Sequence, residues 1–227
     1  MKISEIFHSI QGEGVLAGIP SVFVRLSGCN LRCAWCDTPY TSWEPQGEER
    51  TIEAIVEEIR GYSCTHVVVT GGEPMIFPAA VDLTRALKEL GFHITVETAG
   101  TVYQPVICDL MSISPKLANS TPFEREGGRW AAQHDRLRYQ PVVLRRLISE
   151  YGYQLKFVIR DPGDLQEIEK MIEQIGADRG TVVLMAEGTT REVIANRAGW
   201  IAEICKKEGF RYSPRLHIDL WGNERGR

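Results

Sequence analysis

The chain has 227 residues, of which 43% are hydrophobic and 25% charged, with a formal net charge of −4. This length and apolar content suffice for one large domain with a substantial core, and the slightly acidic balance excludes a bulk electrostatic partner such as nucleic acid. Residues 1–7 lack the apolar run of a signal peptide, and no apolar stretch approaches membrane-spanning length, so we expect no membrane partner and a cytoplasmic protein. A reducing compartment favours metal-bound thiolates over disulfides among the six cysteines.

Predicted strands and helices alternate along the chain. Residues 21–26 form the first predicted strand, and Thr51 caps a helix with apolar residues at helical spacing that Gly61 ends. Further strands are predicted at residues 66–70, 93–97, 106–113, 154–159, 181–185 and 215–221. The helices between them are predicted to end at Gly91, Tyr151, Gly176 and Gly209.

This alternation predicts βα units and a parallel sheet in an α/β fold. About six repeats fit the chain, whereas a complete eightfold barrel needs about 250 residues. We therefore predict a partial barrel of (β/α)6 type, formed by a single domain of residues 1–227. Residues 118–140 are polar with an internal Gly-Gly pair, and they are predicted to be an irregular insertion.

Three cysteines follow the first predicted strand directly. Cys29, Cys33 and Cys36 have C-x3-C-x2-C spacing, so their thiolates can hold three corners of an iron–sulfur cube and leave one iron free for another ligand. The alternatives are an electron-transfer module or a structural zinc site completed by His8 or His66. Structural zinc usually uses paired C-x2-C knuckles, and the sequence has no second knuckle.

Three further motifs also follow predicted strands. They are Gly71-Gly72-Glu73-Pro74, Thr98-Ala99-Gly100 and Ser114-Pro115-Lys116. Because the carboxyl ends of parallel strands meet at one edge of a sheet, we expect these motifs and the cysteines to surround one cavity.

The cysteine spacing, with Trp35 before the last cysteine, resembles that of the radical S-adenosylmethionine (SAM) superfamily. Gly71-Gly72-Glu73-Pro74 resembles the GGEP motif of the same superfamily. The resemblance implies a partial barrel, a [4Fe–4S] cluster on the three cysteines and SAM on the open iron. Reductive cleavage of SAM would then give methionine and a 5′-deoxyadenosyl radical.

The segment before the first predicted strand resembles one particular family of this superfamily. Ser9-Ile10-Gln11-Gly12-Glu13-Gly14 is similar to the SIQGEG-type segment of the 7-carboxy-7-deazaguanine synthase family, and most of the remaining chain fits that family. The family contracts the ring of 6-carboxy-5,6,7,8-tetrahydropterin to 7-carboxy-7-deazaguanine with release of ammonia, a lyase reaction of queuosine-type 7-deazapurine biosynthesis. Hydrogen abstraction by the SAM-derived radical would start the reaction, so no catalytic side chain beyond the cluster ligands is implied.

The family resemblance implies roles for individual residues. Residues expected to contact SAM are Trp35, Cys36, Asp37, Gly72, Glu73, Ser114, Pro115, Lys116 and Gln154. Residues expected to contact the substrate are Ile10, Gln11, Gly12, Glu13, Arg25, Thr70 and His217. Thr38 would be the protein ligand to Mg²⁺, a hard ion that keeps several waters.

The resemblance also implies a small-molecule pterin substrate, a reductant such as a flavodoxin, and a homodimer. Some relatives bind substrate through the C-terminal carboxylate of a short tail ending in proline. This chain instead ends in residues 221–227, which contain no proline, so His217 or Arg225 is expected to take that place. A glycyl-radical activase is the alternative within the superfamily, and the Gln11-Gly12-Glu13-Gly14 segment disfavours it.

Overall fold

The computed structural model describes residues 1–227 and contains nine strands, which form one sheet. The strands are β1 (Lys2–Ile10), β2 (Pro20–Leu26), β3 (Glu48–Glu49), β4 (His66–Gly71), β5 (His93–Thr98), β6 (Leu110–Ile113), β7 (Tyr153–Ile159), β8 (Val182–Ala186) and β9 (Arg211–Ser213). The α-helices are α1 (Pro39–Ser42), α2 (Ile52–Arg60), α3 (Ala79–Glu89), α4 (Ala131–Leu137), α5 (Pro141–Glu150), α6 (Asp164–Ile175), α7 (Arg191–Glu208) and α8 (Leu216–Trp221). None of these helices has the length and hydropathy required to cross a bilayer.

The strand order is β3-β1-β2-β4-β5-β6-β7-β8-β9. All neighbours from β2 to β9 pair in parallel, whereas β1 pairs antiparallel with both β2 and β3. The sheet ends at β3 and β9 without closing. The predicted α/β partial barrel is therefore confirmed, with an antiparallel extension at one edge.

One continuous apolar core joins the sheet to its helices. The cluster of 35 buried residues extends from Ile3 on β1 to Ile218 on α8. Helix α2 begins as predicted, because the Thr51 hydroxyl accepts a hydrogen bond from the Ala54 amide. Helix α6 ends as predicted at Gly176, which adopts the left-handed conformation typical of helix ends.

Two local predictions were wrong, one strand begins later than predicted and one long strand was missed. The strand predicted at residues 106–113 covers only Leu110–Ile113. Residues 2–10, which carried no strand prediction, form β1. Residues 118–140 are not wholly irregular, because they contain α4 and two short 3-10 turns at Ala118–Ser120 and Arg125–Gly128. Residues 215–221, predicted as a strand, form α8 instead. Their alternating apolar pattern favours a strand, but Pro214 follows β9 and the Leu216 amide donates to the Gly12 carbonyl, which turns the chain into a helix over the sheet end.

Candidate active site

A cavity of ≈ 300 Å³ lies at the carboxyl edge of the parallel strands. Its wall includes the cysteine loop, the ends of β4 and β5, Ser114 and Lys116 after β6, and the segment that follows β1. Residues 223–227 of the C-terminal tail complete the rim. The strand-end motifs predicted to converge therefore do surround one cavity.

All three clustered cysteines line this cavity. Burial raises the pKa of Cys29 to about 12 and raises the pKa of Cys33 further, so these thiols stay protonated unless a cation replaces the proton. No group of three His, Cys, Asp or Glu side chains is placed to hold a single metal ion. The structure therefore does not support a preformed mononuclear site at the three cysteines.

The histidines considered for a zinc site lie elsewhere. The His8 ring packs beside Tyr62 with 5.8 Å between ring centroids, and the His66 ring packs beside His93 at 4.6 Å. Neither histidine is among the residues that line the cavity. Neither histidine is therefore placed to complete a zinc site with the three cysteines.

The cysteine loop is supported from outside by the segment predicted to be an irregular insertion. The Ala34 amide donates to the Ser120 carbonyl at 2.8 Å, and the Trp35 indole donates to the Asn119 carbonyl at 3.1 Å. The Arg32 amide donates to His134 Nδ1 at 3.1 Å. This segment therefore fixes the backbone between the first and last cysteine.

His134 acts in that support as a neutral imidazole. Its side chain is buried, and burial lowers the pKa of His134 to about 4. Because Nδ1 accepts from the Arg32 amide, the ring proton is on Nε2, which lies 2.9 Å from the Ser120 hydroxyl oxygen and donates to it. No local sequence pattern predicts this contact, since 102 positions separate His134 from Arg32.

The Gly71-Gly72 pair brings the end of β4 against the start of the cysteine loop. Gly71 has φ +132°, and a Cβ on Gly72 would lie 2.1 Å from the Gly28 carbonyl oxygen. This approach allows the Glu73 amide to donate to the same oxygen at 2.9 Å. The two glycines are therefore needed because two backbone segments meet here.

The Glu73 side chain points into the protein. It is fully buried, and its carboxylate accepts from the Met75 amide, the Thr98 hydroxyl and the Ala99 amide at 3.0, 2.7 and 2.7 Å. Burial raises the pKa of Glu73, and these hydrogen bonds oppose the rise. Glu73 joins the ends of β4 and β5 and does not line the cavity, so its side chain is not placed for the predicted contact with SAM.

The other residues predicted to contact SAM divide into two groups. Those that line the cavity are Trp35, Cys36, Asp37, Gly72, Ser114 and Lys116. Pro115 and Gln154 are buried outside it. The Gln154 amide donates to the Ser112 hydroxyl at 2.7 Å and accepts from the Val15 amide at 2.8 Å, so it holds the segment after β1 against β6 and β7.

Every residue predicted to contact the substrate lines the cavity. The set comprises Ile10, Gln11, Gly12, Glu13, Arg25, Thr70 and His217. The His217 ring lies on helix α8 directly against the Gly12 backbone, where a Cβ would come within 2.0 Å of Nδ1. Gly12 is therefore required for this close packing.

The sequence analysis missed Glu97, which links two of those residues. One Glu97 oxygen accepts from the Gln11 amide nitrogen at 3.1 Å, and the other accepts from the Thr70 hydroxyl at 2.7 Å. The sequence pattern that could have indicated Glu97 is a carboxylate inside a mostly buried predicted strand, directly before Thr98-Ala99-Gly100.

Four alternating charges join residues that are far apart in sequence. Lys156 pairs with Glu13, Glu13 pairs with Arg215 at 3.1 Å, and Arg215 pairs with Asp37 at 2.5 Å. Burial alone would raise the pKa of Glu13, but Lys156 and Arg215 outweigh it and hold that pKa well below its usual range. Glu13 and Asp37 are therefore ionised, and Lys156 and Arg215 are two cavity residues that the sequence analysis did not assign.

Thr38 and Arg25 occupy different parts of the wall. Thr38 lies at the start of α1, and its hydroxyl is 3.8 Å from the Cys36 sulfur. Arg25, on β2, donates through Nε to Glu5 at 2.6 Å. Arg225 of the tail donates through Nε to the second Glu5 oxygen at 3.0 Å, which places it on the rim as expected.

Comparisons with known proteins agree with this geometry. The sequence profile of the Radical SAM superfamily matches residues 23–116. The 7-carboxy-7-deazaguanine synthase of Halobacterium salinarum is 46% identical over 98% of this chain and 91% of its own length. The enzyme of the same name from Rhodopirellula baltica is 42% identical over 100% of this chain and 88% of its own length. The crystal structure of QueE from Escherichia coli has a TM-score of 0.69 and 25% identity, covering 93% of this chain and 92% of that one.

The open parallel sheet, the three-cysteine loop and the superfamily match define a radical SAM enzyme, a class that carries a [4Fe–4S] cluster and uses SAM. The Halobacterium salinarum enzyme, at 46% identity over nearly the whole length, shows which family within this class the chain belongs to. The chain belongs to the 7-carboxy-7-deazaguanine synthase family.

Proposed function

We propose that this chain forms 7-carboxy-7-deazaguanine by radical ring contraction of 6-carboxy-5,6,7,8-tetrahydropterin with loss of ammonia. The observation that supports the proposal most directly is that the cysteine loop and the Gln11-Gly12-Glu13 segment line the same cavity.

Cys29, Cys33 and Cys36 would hold the cluster. SAM would be contacted by five further residues of the cavity wall, Trp35, Asp37, Gly72, Ser114 and Lys116. Bound there, the cluster and SAM together supply one-electron reduction and a hydrogen-abstracting carbon radical. The contributions of Glu73, Pro115 and Gln154 would be indirect, because they position the neighbouring backbone.

The charges of the cavity suit a substrate with a carboxylate at one end and N–H donors at the other. Arg25 offers a guanidinium to the carboxylate. Glu97 and Glu13 offer carboxylate oxygens that can accept from the amino and ring N–H groups of a pterin. Thr70, Ile10 and His217 would bound the ring on the remaining sides.

Thr38 would supply the one protein ligand to Mg²⁺, with waters and the substrate carboxylate as the others. A flavodoxin-type protein would supply the electron. We further propose that residues 1–227 act as a single radical SAM domain, that the enzyme is a cytoplasmic homodimer, and that its product enters queuosine-type deazapurine biosynthesis.

The test is an anaerobic assay of the reconstituted protein with dithionite, SAM, Mg²⁺ and the carboxytetrahydropterin. Wild type and the control Cys64→Ala, whose sulfur lies outside the cavity, should form the deazaguanine, whereas Cys33→Ala should lose both the cluster absorbance and the product. Wild-type protein with an intact cluster and no deazaguanine product would refute the proposal.

A further inference from the structure

Glu5 lies behind the cavity wall and contacts two arginines that line the cavity, Arg25 on β2 and Arg225 in the C-terminal tail. It pairs with Arg25 across the β1–β2 ladder, next to a register shift between Ile3 and Glu5. Such irregularities redirect side chains, and here Glu5 is only 13% exposed. One Glu5 oxygen accepts from Arg25 Nε at 2.6 Å and from the Tyr40 hydroxyl at 3.0 Å.

The second Glu5 oxygen holds the C-terminal tail. It accepts from Arg225 Nε at 3.0 Å, while Nη2 of Arg225 donates to the carbonyl and hydroxyl of Ser4 at 3.2 Å each. The Arg225 guanidinium also lies 4.2 Å from the centre of the Tyr40 ring. All hydrogen bonds of this tail arginine therefore go to Ser4 and Glu5 of β1.

These contacts leave part of Arg25 available. Glu5 takes only Nε, and neither terminal nitrogen of Arg25 has a hydrogen-bond acceptor in the protein. Arg25 and Arg225 share the single carboxylate of Glu5 in direct ion pairs. A largely buried guanidinium that shares its ion-pair partner and keeps two free terminal nitrogens is arranged to receive a carboxylate in the bidentate geometry that arginine favours.

We propose that Glu5 is a positioning residue: it fixes Arg25 through Nε, keeps the terminal nitrogens of Arg25 free for the substrate carboxylate, and fastens the C-terminal tail over the rim through Arg225. This inference rests on the proposed function, since it concerns how that site selects a carboxylated pterin. Closure of the tail and orientation of Arg25 are coupled because they share one carboxylate.

Equilibrium binding tests the selection of a carboxylate. Reconstituted enzyme without reductant does not turn over, so the dissociation constants of the carboxytetrahydropterin and of its neutral carboxamide can be compared by calorimetry. Glu5→Gln should lower the preference for the carboxylate about tenfold, equivalent to ~1.4 kcal/mol, while affinity for the carboxamide changes little. Glu203→Gln, on the exposed face of α7, is the matched control and should keep the wild-type preference.

The outcomes separate a positioning role from a structural one. If Glu5→Gln weakens the binding of both ligands equally, Glu5 only supports the fold. If the variant binds the carboxylate more tightly, Glu5 competes with the substrate for Arg25. Either result overturns the proposal. Wild-type enzyme that binds neither ligand would refute the proposed function itself. Normal wild-type binding with an unchanged preference in Glu5→Gln would refute this inference alone.

Arg225→Gln provides a second test that does not disturb the core. The preference for the carboxylate should fall about threefold, and amide hydrogen exchange of residues 222–227 should become faster in both Arg225→Gln and Glu5→Gln. Arg211→Gln, an exposed arginine of β9, is the control and should change neither quantity. Unchanged tail exchange in both rim variants would contradict the proposed fastening of the tail.

Discussion

Gly72→Ala adds one methyl group at the contact between β4 and the cysteine loop. The new Cβ would lie 2.1 Å from the Gly28 carbonyl oxygen and 2.8 Å from that of Thr41. The Gly28 carbonyl oxygen must move by about 0.9 Å to be even 3.0 Å from this Cβ. Gly28 directly precedes Cys29, so the movement affects the cysteine loop. We expect the substitution to displace the first cluster ligand.

The expected loss of stability has two parts. Overpacking against rigid backbone typically costs about 1–3 kcal/mol. Retreat of Gly28 also lengthens the 2.9 Å hydrogen bond from the Glu73 amide, which is worth about 1 kcal/mol. The free energy of unfolding should therefore fall by about 2–4 kcal/mol.

Gly199→Ala also adds one methyl group, but at a position where the methyl group has open space. Gly199 lies inside helix α7 with no atom within 4 Å of its Cβ position, so alanine should stabilise the helix by about 0.5–1 kcal/mol. Urea unfolding of the cluster-free proteins gives both stabilities, and iron content after reconstitution reports cluster binding. A Gly72→Ala protein with wild-type stability and a full cluster would refute the reasoning about backbone contact.

Three further predictions concern other parts of the site. Arg215→Gln should lower the free energy of unfolding by about 2 kcal/mol, because Glu13, whose side chain is 15% exposed, loses one of its two cations. The loss at Asp37 is partly screened by water, since that side chain is 38% exposed, and a change below about 0.5 kcal/mol in urea unfolding would be inconsistent with this reasoning. The free energy of unfolding should fall as pH drops from about 6.5 to about 4, because histidine binds a proton at higher pH in the unfolded chain than in the folded protein, where His134 is buried. His134 contributes a slope of at most ~1.4 kcal/mol per pH unit to this fall, and His134→Gln should reduce the slope. An unaltered slope would exclude His134 as its source. Thr38→Ala should raise the Mg²⁺ concentration needed for half-maximal turnover several-fold, and an unchanged Mg²⁺ titration would argue against Thr38 as the ligand.

The parts of the fold that were predictable are those with strong local signals. The β-branched runs in β4 and β5 and the cap at Thr51 identify their elements without help from tertiary contacts. The segment 215–221 alternates apolar and polar residues over too few positions to separate a strand from a helix. Its conformation depends on the contact of Leu216 with Gly12, which no local pattern encodes.

The site residues that could be predicted are likewise those that belong to a local motif. Residues inside recognisable motifs, such as Cys33, Gln11 and Gly72, were placed on the cavity by resemblance and strand order. Arg215 was missed because its role is defined by Glu13, which is 202 positions away in the sequence. The position of Glu73 within its motif likewise did not reveal that its side chain turns away from the cavity, since that depends on donors from β5.

The alternating charges from Lys156 through Glu13 and Arg215 to Asp37 also affect when the site can form during protein synthesis. A ribosome releases Cys29, Cys33 and Cys36 early, and the strands up to β8 can pair while the chain is still growing. Glu13 and Asp37 can form these ion pairs only after Arg215 has been synthesised, and Arg215 follows all nine strands in the chain. Until then the three thiols lie on an incomplete wall, which leaves them open to cluster insertion.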